Sequence, residues 1–529
     1  MKTLLITILF LVTLPARATT YYVSSSLGND ANTSTQAQSK STPWHNLPGM
    51  KNWTGTYTPV AGDSFILYGC DSWLNASFPI TWTWSGTSGS HITVGVDNTW
   101  YNTSVCPSSW NRPIFNMQAT MINGTTCTSQ IHFVYIFTSA DYVDFNWQEV
   151  TGYYWSNLAQ GGCYGYGGMI LSSGSDFITV NNGYYHNWTH AASGTSDNDQ
   201  MIYVNNGCTH CYFNQNVVDN VDGDGSSCAT SSATCSGFGD RGWNFTKNIC
   251  ANVSNCFLSN TLSTATIEIG NNNFFNINES YNGNHPNVIE TTGVVSGTGV
   301  YYIHDNYTHN IVVAESLQVG NNNETDYVWN NIIVVNPSSV GSNGPHLPQS
   351  GTPTAMYFFN NTVAGWSACF TSSGNGTYTW TSTLLIENNH CIPNSGSGTV
   401  SGSPTGGTTS ISNNVGMTTS TATSQGYTNS QTYVYSPTLN TNGTVGAGAN
   451  LTSTVPGAFT TNDTNYACSE QTVSGVVESV CPTRVSNTRP ASGAWDAGAY
   501  EFTGAGPPPV NTQLSIFITL RTSPTVFVP

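Results

Sequence analysis

Met356–Asn361 reads MYFFNN, and Leu384–Asn389, which begins 28 residues later, reads LLIENN. In both, a short apolar run ends in asparagine, and another short apolar segment follows directly. The pattern recurs at intervals of 24 to 36 residues, and its final asparagines are Asn146, Asn182, Asn216, Asn248, Asn272, Asn306, Asn331, Asn361, Asn389 and Asn414. A repeat of this length indicates a solenoid or a propeller, in which each unit packs on its neighbours.

A constant strand–asparagine–strand core with loops of variable length favours a parallel β-helix. Asparagine suits its sharp turns because it tolerates the left-handed backbone region. Its side-chain amide can also bond to the same amide one coil away, about 4.8 Å along the axis. A propeller is the alternative, but 24 residues leave no room for a four-stranded blade. We therefore predict an all-β fold, a single-stranded right-handed parallel β-helix (solenoid) with capped ends.

The N-terminus and the composition predict an exported protein. Met1–Ala18 has a positive residue, a short apolar run and an Ala16-Arg17-Ala18 cleavage pattern, which together are typical of a signal peptide. Charged residues make up 7% of the chain, whereas hydrophobic residues reach 38% and aromatic residues 12%, enough for a sizeable core. We expect a secreted or cell-surface protein.

The charge balance excludes some partners. Without Lys2 and Arg17, 8 basic residues face 27 acidic ones. Nucleic acids and anionic lipids are bound mainly through lysine and arginine, so we expect neither as a partner. No later segment has about 18 uninterrupted apolar residues, so we also expect no membrane span. A capped solenoid buries its own ends, which favours a monomer.

The 14 cysteines of an exported chain predict disulfides, although the sequence alone does not fix their connectivity. The plausible local pairs are Cys208–Cys211, Cys228–Cys235, Cys250–Cys256 and Cys468–Cys481. The motif Cys208-Thr-His-Cys211 is also compatible with a redox or zinc site. No second motif with zinc-ligand spacing follows it, so a structural disulfide or free thiols are favoured.

Both ends of the chain carry recognisable segments. The predicted mature N-terminus has a YYV strand, a G-N-D turn, the segment TPWHNL and an Ala61-Gly62-Asp63 turn, and the far end reads WDAGAYEF from Trp495 to Phe502. These segments resemble the first coils and the closing segment of secreted right-handed parallel β-helix proteins of the pectate-lyase-like superfamily. The resemblance covers about residues 20–502 and implies the fold more strongly than any activity.

Five regions follow from these patterns. We expect a signal peptide at 1–18, an N-terminal cap with the first coils at 19–130, and regular β-helix coils at 131–415. C-terminal closing coils are expected at 416–502, and a Pro-rich linker and tail at 503–529.

One group of ionisable residues suggests a calcium-assisted lyase. Asp219, Asp222 and Asp224 place three carboxylates near a glycine turn, which is typical of a calcium site. The same D-G-D-G segment is also ordinary turn chemistry. In a lyase resembling pectate lyases, calcium would neutralise the uronate and Arg241 would serve as the base. A structural Arg241 paired with Asp240 is the alternative.

A second group suggests a glycoside hydrolase. Glu290 and Glu315 lie in similar VIET and VAES segments, one coil apart, and would be neighbours if the strands stack in register. Two carboxyl groups flanking a glycosidic bond are what hydrolysis requires, and His285 could assist them. Solvent-facing glutamates are the alternative reading. The G-H-G and R-I-K segments of the polygalacturonase-type family are absent from the sequence.

Aromatic residues point to carbohydrate in either case. Rings stack on the C–H faces of sugars, and we assign substrate contacts to His190, Trp155 and Tyr166. Several tryptophans near the N-terminus are expected to be divided between the core and a groove. The predicted function is thus that of a secreted protein that acts on or binds extracellular polysaccharide; a calcium-assisted polysaccharide lyase and a glycoside hydrolase are the enzymes it could be. The alternative is a non-catalytic carbohydrate-binding, adhesin or surface structural protein.

Overall fold

The structure is a computed structural model in which part of the chain is described. The described residues are 18–122, 134–155, 170–190, 202–205, 208, 210–221, 238–240, 243–253, 256–259, 266–277, 287–291, 299–311, 315–336, 343–345, 347, 352–372, 379–455, 462–463, 468–482, 487–502 and 504. The predicted signal peptide up to residue 17 lies outside them, as does the predicted tail apart from residue 504.

The chain winds through three parallel sheets, which confirms the predicted right-handed parallel β-helix. Sheet A has 13 strands, in this order: Thr20–Val23, Ser64–Gly69, Ile92–Tyr101, Asp141–Asn146, Asp176–Asn181, Cys211–Asn214, Trp243–Thr246, Thr266–Gly270, Gly299–His304, Glu324–Trp329, Ala355–Phe359, Thr379–Glu387 and Thr405–Ser412.

Sheet B follows sheet A in each coil and has 12 strands: Ser72–Leu74, Ile114–Ile122, Glu149–Trp155, Tyr184–His190, Val217–Val221, Ile249–Ala251, Asn273–Phe275, Tyr307–Ile311, Ile332–Val335, Thr362–Ala364, His390–Ile392 and Val415–Gly416.

The third side, sheet C, consists of four shorter parallel groups. The first group is Ile80–Trp82, Tyr135–Thr138, Ile170–Ser173 and Ile202–Asn205; the second is Phe238–Asp240, Phe257–Ser259 and Ile289–Thr291; the third is Glu315–Leu317 and Asn343–Pro345; the fourth is Phe370–Thr371 and Val400–Ser401.

The interior of the coils is apolar because alternate residues of every strand point inward. Aromatic side chains from successive coils stack there. The rings of Phe213 and Phe245 are 5.7 Å apart and those of Phe245 and Phe274 are 6.1 Å apart, in both cases nearly parallel. This continuous core runs from Tyr21 to Cys391.

The predicted asparagine ladder closes the turn between sheets A and B. Asn331 Nδ2 donates to the Ile303 carbonyl oxygen at 2.9 Å and to Asn361 Oδ1 at 3.0 Å. Asn331 Oδ1 accepts from the backbone N–H of Asn306 at 3.1 Å and from Asn306 Nδ2 at 2.9 Å. The ladder comprises Asn216, Asn248, Asn272, Asn306, Asn331, Asn361, Asn389 and Asn414.

The left-handed residue of this turn comes directly before the ladder asparagine, rather than being that asparagine as we predicted. Asn330 has φ 52° and Asn360 has φ 53°, and each precedes a ladder residue. Asn182, at φ 54°, fills this left-handed position itself. The following Gly183 has no side chain to continue the ladder, and its N–H donates to Asn216 Oδ1 at 2.7 Å.

Asn146 does not belong to the ladder either. In its coil, Trp147 takes the left-handed position with φ 69°, and the buried Gln148 follows it. Gln148 Nε2 donates back to the Asn146 carbonyl at 2.5 Å. The ladder is therefore shorter than the repeat, because its members are set by their place in the turn and not by the last asparagine of each run.

The N-terminal motifs form the cap of the first coil. The Asp30 carboxylate accepts from the backbone N–H groups of His45 and Asn46 at 3.0 and 2.8 Å, which ties the G-N-D turn to the P-W segment. Trp44 is buried against Tyr21, with ring centroids 4.9 Å apart. Trp73 and Trp82 are also fully buried, so these tryptophans serve the core and not a groove.

The segment after Gly416, where we expected closing coils, folds back over the solenoid in its described part. It contains the helix Thr419–Ser424 and two antiparallel pairs, Asn462–Asp463 with Asn487–Thr488 and Ser469–Val473 with Val476–Val480. The latter hairpin and its flanking Cys468 pack on the outer face of sheet B. Within the described residues, the other helices are the 3₁₀ turns Gln36–Gln38 and Asn75–Ser77.

Arg489 holds this closing segment in place. It is 2% exposed, and its guanidinium donates to Glu501 Oε2 at 2.9 Å and to Asn330 Oδ1 at 3.0 Å. Asn360 Nδ2 donates to the Asp496 carbonyl at 2.9 Å. Gly498 has φ 94°, and a Cβ there would lie 2.8 Å from the His390 Cβ. The WDAGAYE motif therefore docks on the asparagine turns.

Five disulfides occur in the described chain. Cys208–Cys211, Cys250–Cys256 and Cys468–Cys481 confirm three predicted pairs. Cys70–Cys106 and Cys369–Cys391 were not anticipated, because 36 and 22 residues separate their partners and only the coil geometry brings them together. The predicted pair Cys228–Cys235 lies outside the described residues. Among the described helices, none is long and apolar enough to cross a lipid bilayer.

We expect Asn331→Ala to destabilise the fold by about 3 kcal/mol, because it removes buried hydrogen bonds and leaves partners in two coils unsatisfied. The midpoint of urea unfolding, followed by circular dichroism, measures the loss. Asn98→Ala, at an exposed position of sheet A, is the control and should change stability little. Equal midpoints for the two variants would contradict the structural role of the ladder.

Arg489→Met should release the closing segment, because the half-buried Glu501 carboxylate and the Asn330 amide lose their hydrogen bonds to the buried guanidinium. A loss of about 3 kcal/mol is expected for such a broken buried pair. Limited proteolysis with mass spectrometry should show earlier cleavage between residues 440 and 500 than in the wild type. Lys51→Met, at an exposed lysine, should leave the cleavage pattern unchanged.

Candidate functional site

The outer face of sheet A carries a straight column of polar and aromatic side chains. Alternate residues of each strand point outward, and parallel pairing without offset aligns them from coil to coil. The aligned residues, called here the tyrosine column, are Tyr212, Asn244, Glu268, Tyr302, Tyr327 and Tyr357. Neighbouring members are one strand spacing apart, about 4.8 Å.

The three consecutive tyrosines form a platform. The rings of Tyr327 and Tyr357 are 4.6 Å apart and 6° from parallel, and those of Tyr302 and Tyr327 are 5.5 Å apart. All three are half-buried and rest against an apolar cluster that includes Leu451 and Val455 of the closing segment. This backing fixes the rings while part of each remains accessible to solvent.

The phenol groups of Tyr302 and Tyr327 are uncharged at neutral pH. Burial raises the pKa of Tyr302, and burial together with the neighbouring Tyr357 and Tyr302 raises the pKa of Tyr327 to about 12. Each hydroxyl can therefore donate one hydrogen bond and accept others. Farther along the column, Tyr212 is 38% exposed, which extends the accessible aromatic surface.

A charged cluster lies beside the platform. His304 Nε2 is 3.2 Å from Glu268 Oε1, and His304 Nδ1 is 2.8 Å from Asp305 Oδ2. The imidazole also stacks on Trp329, with centroids 4.4 Å apart. Gly270 leaves the space for this ring, since a Cβ there would lie 2.8 Å from it.

The charges of this cluster stabilise one another. Burial lowers the pKa of His304, but hydrogen bonds to Asp305 and Glu268 outweigh it and raise the pKa to about 9. The hydrogen bond from His304 lowers the pKa of Glu268. At neutral pH an imidazolium therefore sits between two carboxylates, which places hydrogen-bonding groups of fixed orientation next to the tyrosine platform.

The predicted catalytic residues are only partly described. Glu290 lies in sheet C with 6% exposure, and its Oε2 accepts from Asn287 Nδ2 at 2.5 Å. The backbone bridge to the next coil pairs Glu290 with Gln318 and not with Glu315. The expected register is wrong, because Glu315 lies three residues earlier and pairs with Asn343 in the following coil. His285 and Arg241 lie outside the described residues.

Acidic side chains continue from this region into the core. Glu324 is fully buried and accepts from Thr291 Oγ1 at 2.6 Å and from the Asn321 N–H at 2.8 Å. Asp326 is also fully buried, and burial followed by the nearby Glu324 raises its pKa well above the usual value. These inward carboxyl groups are enclosed by the coils, so they do not face a substrate.

The predicted substrate and metal residues lie elsewhere on the solenoid. The backbones of Trp155 and His190 pair in register at neighbouring strand ends of sheet B, while Tyr166 lies outside the described residues. Asp219 is also on sheet B, and its Oδ1 accepts from Asn252 Nδ2 at 2.6 Å. Asp222 and Asp224 lie outside the described residues, and calcium remains a prediction.

The tyrosine column was missed by the sequence reasoning, although a signal exists. Every member stands four residues before a ladder asparagine, from Tyr212 before Asn216 to Tyr357 before Asn361. Residues at the same distance in sequence from the turn occupy the same position in every coil. The ionisable motifs of the sequence follow the asparagines, whereas this column precedes them.

Comparison with known proteins gives structural neighbours at low identity. A pectate lyase, Pel9A, is 13% identical with a TM-score of 0.44, over 92% of this chain and 97% of that one. A rhamnogalacturonan lyase is 14% identical with a TM-score of 0.40, over 75% and 87%. A GH136 lacto-N-biosidase from Eubacterium ramulus is 12% identical with a TM-score of 0.35, over 65% and 64%. No protein-family model and no curated protein matches the sequence.

Stability should fall as pH rises through the titration of His304. Its pKa is raised on folding, so the stabilisation is fully present below about pH 6.5 and is lost as pH approaches about 9, by up to about 3 kcal/mol. His304→Gln should flatten unfolding midpoints measured across this window. His91→Gln, which alters the more exposed pair with Asp144, is the control. The same slope in wild type and His304→Gln would contradict the assignment.

Proposed function

We propose that this protein is extracellular and binds polysaccharide along the outer face of sheet A. The observation that carries the proposal is the tyrosine column, in which three aromatic rings repeat at the strand spacing along the solenoid axis. An extended polysaccharide also repeats along its axis, so successive sugar units can pack against the solvent-facing edges of successive rings. The five described disulfides suit an extracellular location.

The polar groups beside the rings can orient a bound sugar through hydrogen bonds. Sugar hydroxyls are both donors and acceptors, and Glu268 and the tyrosine hydroxyls offer complementary atoms at fixed positions. An apolar platform with a few oriented polar groups is typical of small-molecule and saccharide sites. The closing segment holds the rings in place before binding, which lowers the entropic cost of binding.

The charge of the whole protein, and not of this face alone, favours an uncharged polysaccharide. Near the tyrosine column, the carboxylates of Glu268 and Asp305 are matched by the His304 imidazolium and by Lys247, so the face has no excess of positive charge for a uronate. A uronate chain would bring further negative charge to a protein whose net charge is already −17. We therefore expect neutral polysaccharides to bind more tightly than uronates at equal ionic strength.

Cleavage of the polysaccharide is a second candidate. Glu290 favours it, because this predicted acid lies on sheet C beside Gln318 and Asn287, with amides that can orient a carboxyl group. A hydrolase or a calcium-assisted lyase would use Glu290 together with Glu315, His285, Arg241 or the Asp219 group. New reducing ends would support hydrolysis. Unsaturated uronate absorbance that disappears with a chelator would support a calcium lyase.

The double variant Tyr302→Ala/Tyr327→Ala should weaken binding roughly tenfold or more, because two aromatic contact surfaces are lost. Affinity electrophoresis on a panel of neutral and uronate polysaccharides measures the change. The double Phe variant keeps the rings and should retain most of the affinity. Tyr68→Ala, on a distant coil of sheet A, is the matched control.

Binding that survives Tyr302→Ala with Tyr327→Ala would contradict the placement of the site on sheet A. If Glu290→Gln loses binding and the double tyrosine variant keeps it, the binding site lies on sheet C. If the folded wild type binds none of the polysaccharides, the proposed function itself is rejected.

A further inference from the structure

The motif Cys208-Thr-His-Cys211 lies beside a carboxylate. Thr179 pairs with Tyr212, so Cys211 aligns with Ile178, and the residues that precede Cys211 lie near Asp176 at the start of the neighbouring strand. The Asp176 carboxylate oxygen Oδ1 is 3.7 Å from Cys208 Sγ. One donor atom from each of Asp176, Cys208 and Cys211 lies within 4.8 Å of the other two.

His210 orients this carboxylate from the solvent side. Its backbone N–H donates to Asp176 Oδ1 at 2.8 Å, and its Nδ1 is 2.8 Å from Asp176 Oδ2. The imidazole is held in turn by stacking on Phe177, with centroids 4.3 Å apart and planes 5° from parallel. Both sulfurs are buried, whereas Asp176 and His210 reach solvent, so the cluster has one open side.

This geometry is not needed by the disulfide itself. An S–S bond gains little from an oriented carboxylate, and two reduced sulfurs would be repelled by it if they ionised. A divalent cation removes that repulsion. Two sulfurs from a C-x₂-C motif and one carboxylate oxygen are a donor set that suits Zn²⁺ in tetrahedral coordination.

We propose that Asp176, Cys208 and Cys211 form a redox-gated zinc site, closed as a disulfide and open to metal when reduced. A dithiol reductant supplies two electrons and two protons, which convert the Cys208–Cys211 disulfide into two thiols while the reductant becomes a disulfide. Zn²⁺ then binds both sulfurs as thiolates, and the two thiol protons go to water. A water completes four-coordination on the open side, and His210 positions Asp176 through its hydrogen bonds.

Cobalt(II) is the probe, because tetrahedral thiolate coordination gives visible d–d bands and a near-ultraviolet charge-transfer band. The full chain is treated with a dithiol, exchanged into reductant-free anaerobic buffer and titrated with Co²⁺, then with Zn²⁺. We expect one Co²⁺ per chain with both bands, and displacement by Zn²⁺. Asp176→Asn should weaken cobalt binding roughly tenfold.

Two cysteine variants make the test specific. Cys208→Ser with Cys211→Ser should abolish the charge-transfer band. Cys468→Ser with Cys481→Ser, which removes a different disulfide, should leave it intact. Absence of the band from folded wild-type chain, with Cys208 and Cys211 shown to be alkylatable thiols, would overturn the proposal. Equal binding by the Cys208/Cys211 variant would overturn it too.

Reduction of the other disulfides can unfold the chain, so a second measurement is needed. The chain is produced in a reducing cytosol with added zinc, and the metal content of the soluble, folded fraction is determined by mass spectrometry. One zinc per chain is expected, and it should be absent from the Cys208/Cys211 variant. Folded, reduced chain without zinc would contradict the site. Neither outcome depends on polysaccharide binding.

Discussion

The hydrogen bond between the side-chain amide of one coil and the backbone N–H of the preceding coil is the constraint on which this solenoid depends. At the turn from sheet A to sheet B, the chain reverses too sharply for its backbone groups to pair along a strand. The buried ladder from Asn216 to Asn389 satisfies them and fixes the stacking of one coil on the next. Register in both large sheets follows from that fixed stacking.

The outer surface acquires its chemistry from the same constraint. Because the ladder fixes the turn at the same position in every coil, a residue four positions before the ladder asparagine faces outward on sheet A. Tyr302, Tyr327 and Tyr357 therefore align without contacts of their own having to set the register. The closing segment, clamped by Arg489, then backs these rings with Leu451 and Val455. Backbone geometry, and not a local motif, assembles the proposed binding face.

The sequence predicts the parts of this structure that repeat and misses those that depend on long-range placement. The recurring asparagines predict the β-helix and the ladder, and nearby cysteines such as Cys250 and Cys256 predict their own pairing. The Glu290–Glu315 alignment failed because loop lengths in sheet C shift the register, which the spacing of motifs does not reveal. Cys70–Cys106 and the fold-back of the closing segment join residues whose proximity arises only from coiling.

Hydroxyl-radical footprinting with and without a saturating neutral oligosaccharide would show whether sheet A carries the binding face, because tyrosine and tryptophan side chains report their own solvent exposure. We expect protection of Tyr302, Tyr327 and Tyr357, with Tyr212 protected by longer oligosaccharides and Tyr68 unchanged. Protection confined to the sheet C residues around Glu290 and Gln318, with the three tyrosines oxidised as before, would contradict a binding face on sheet A.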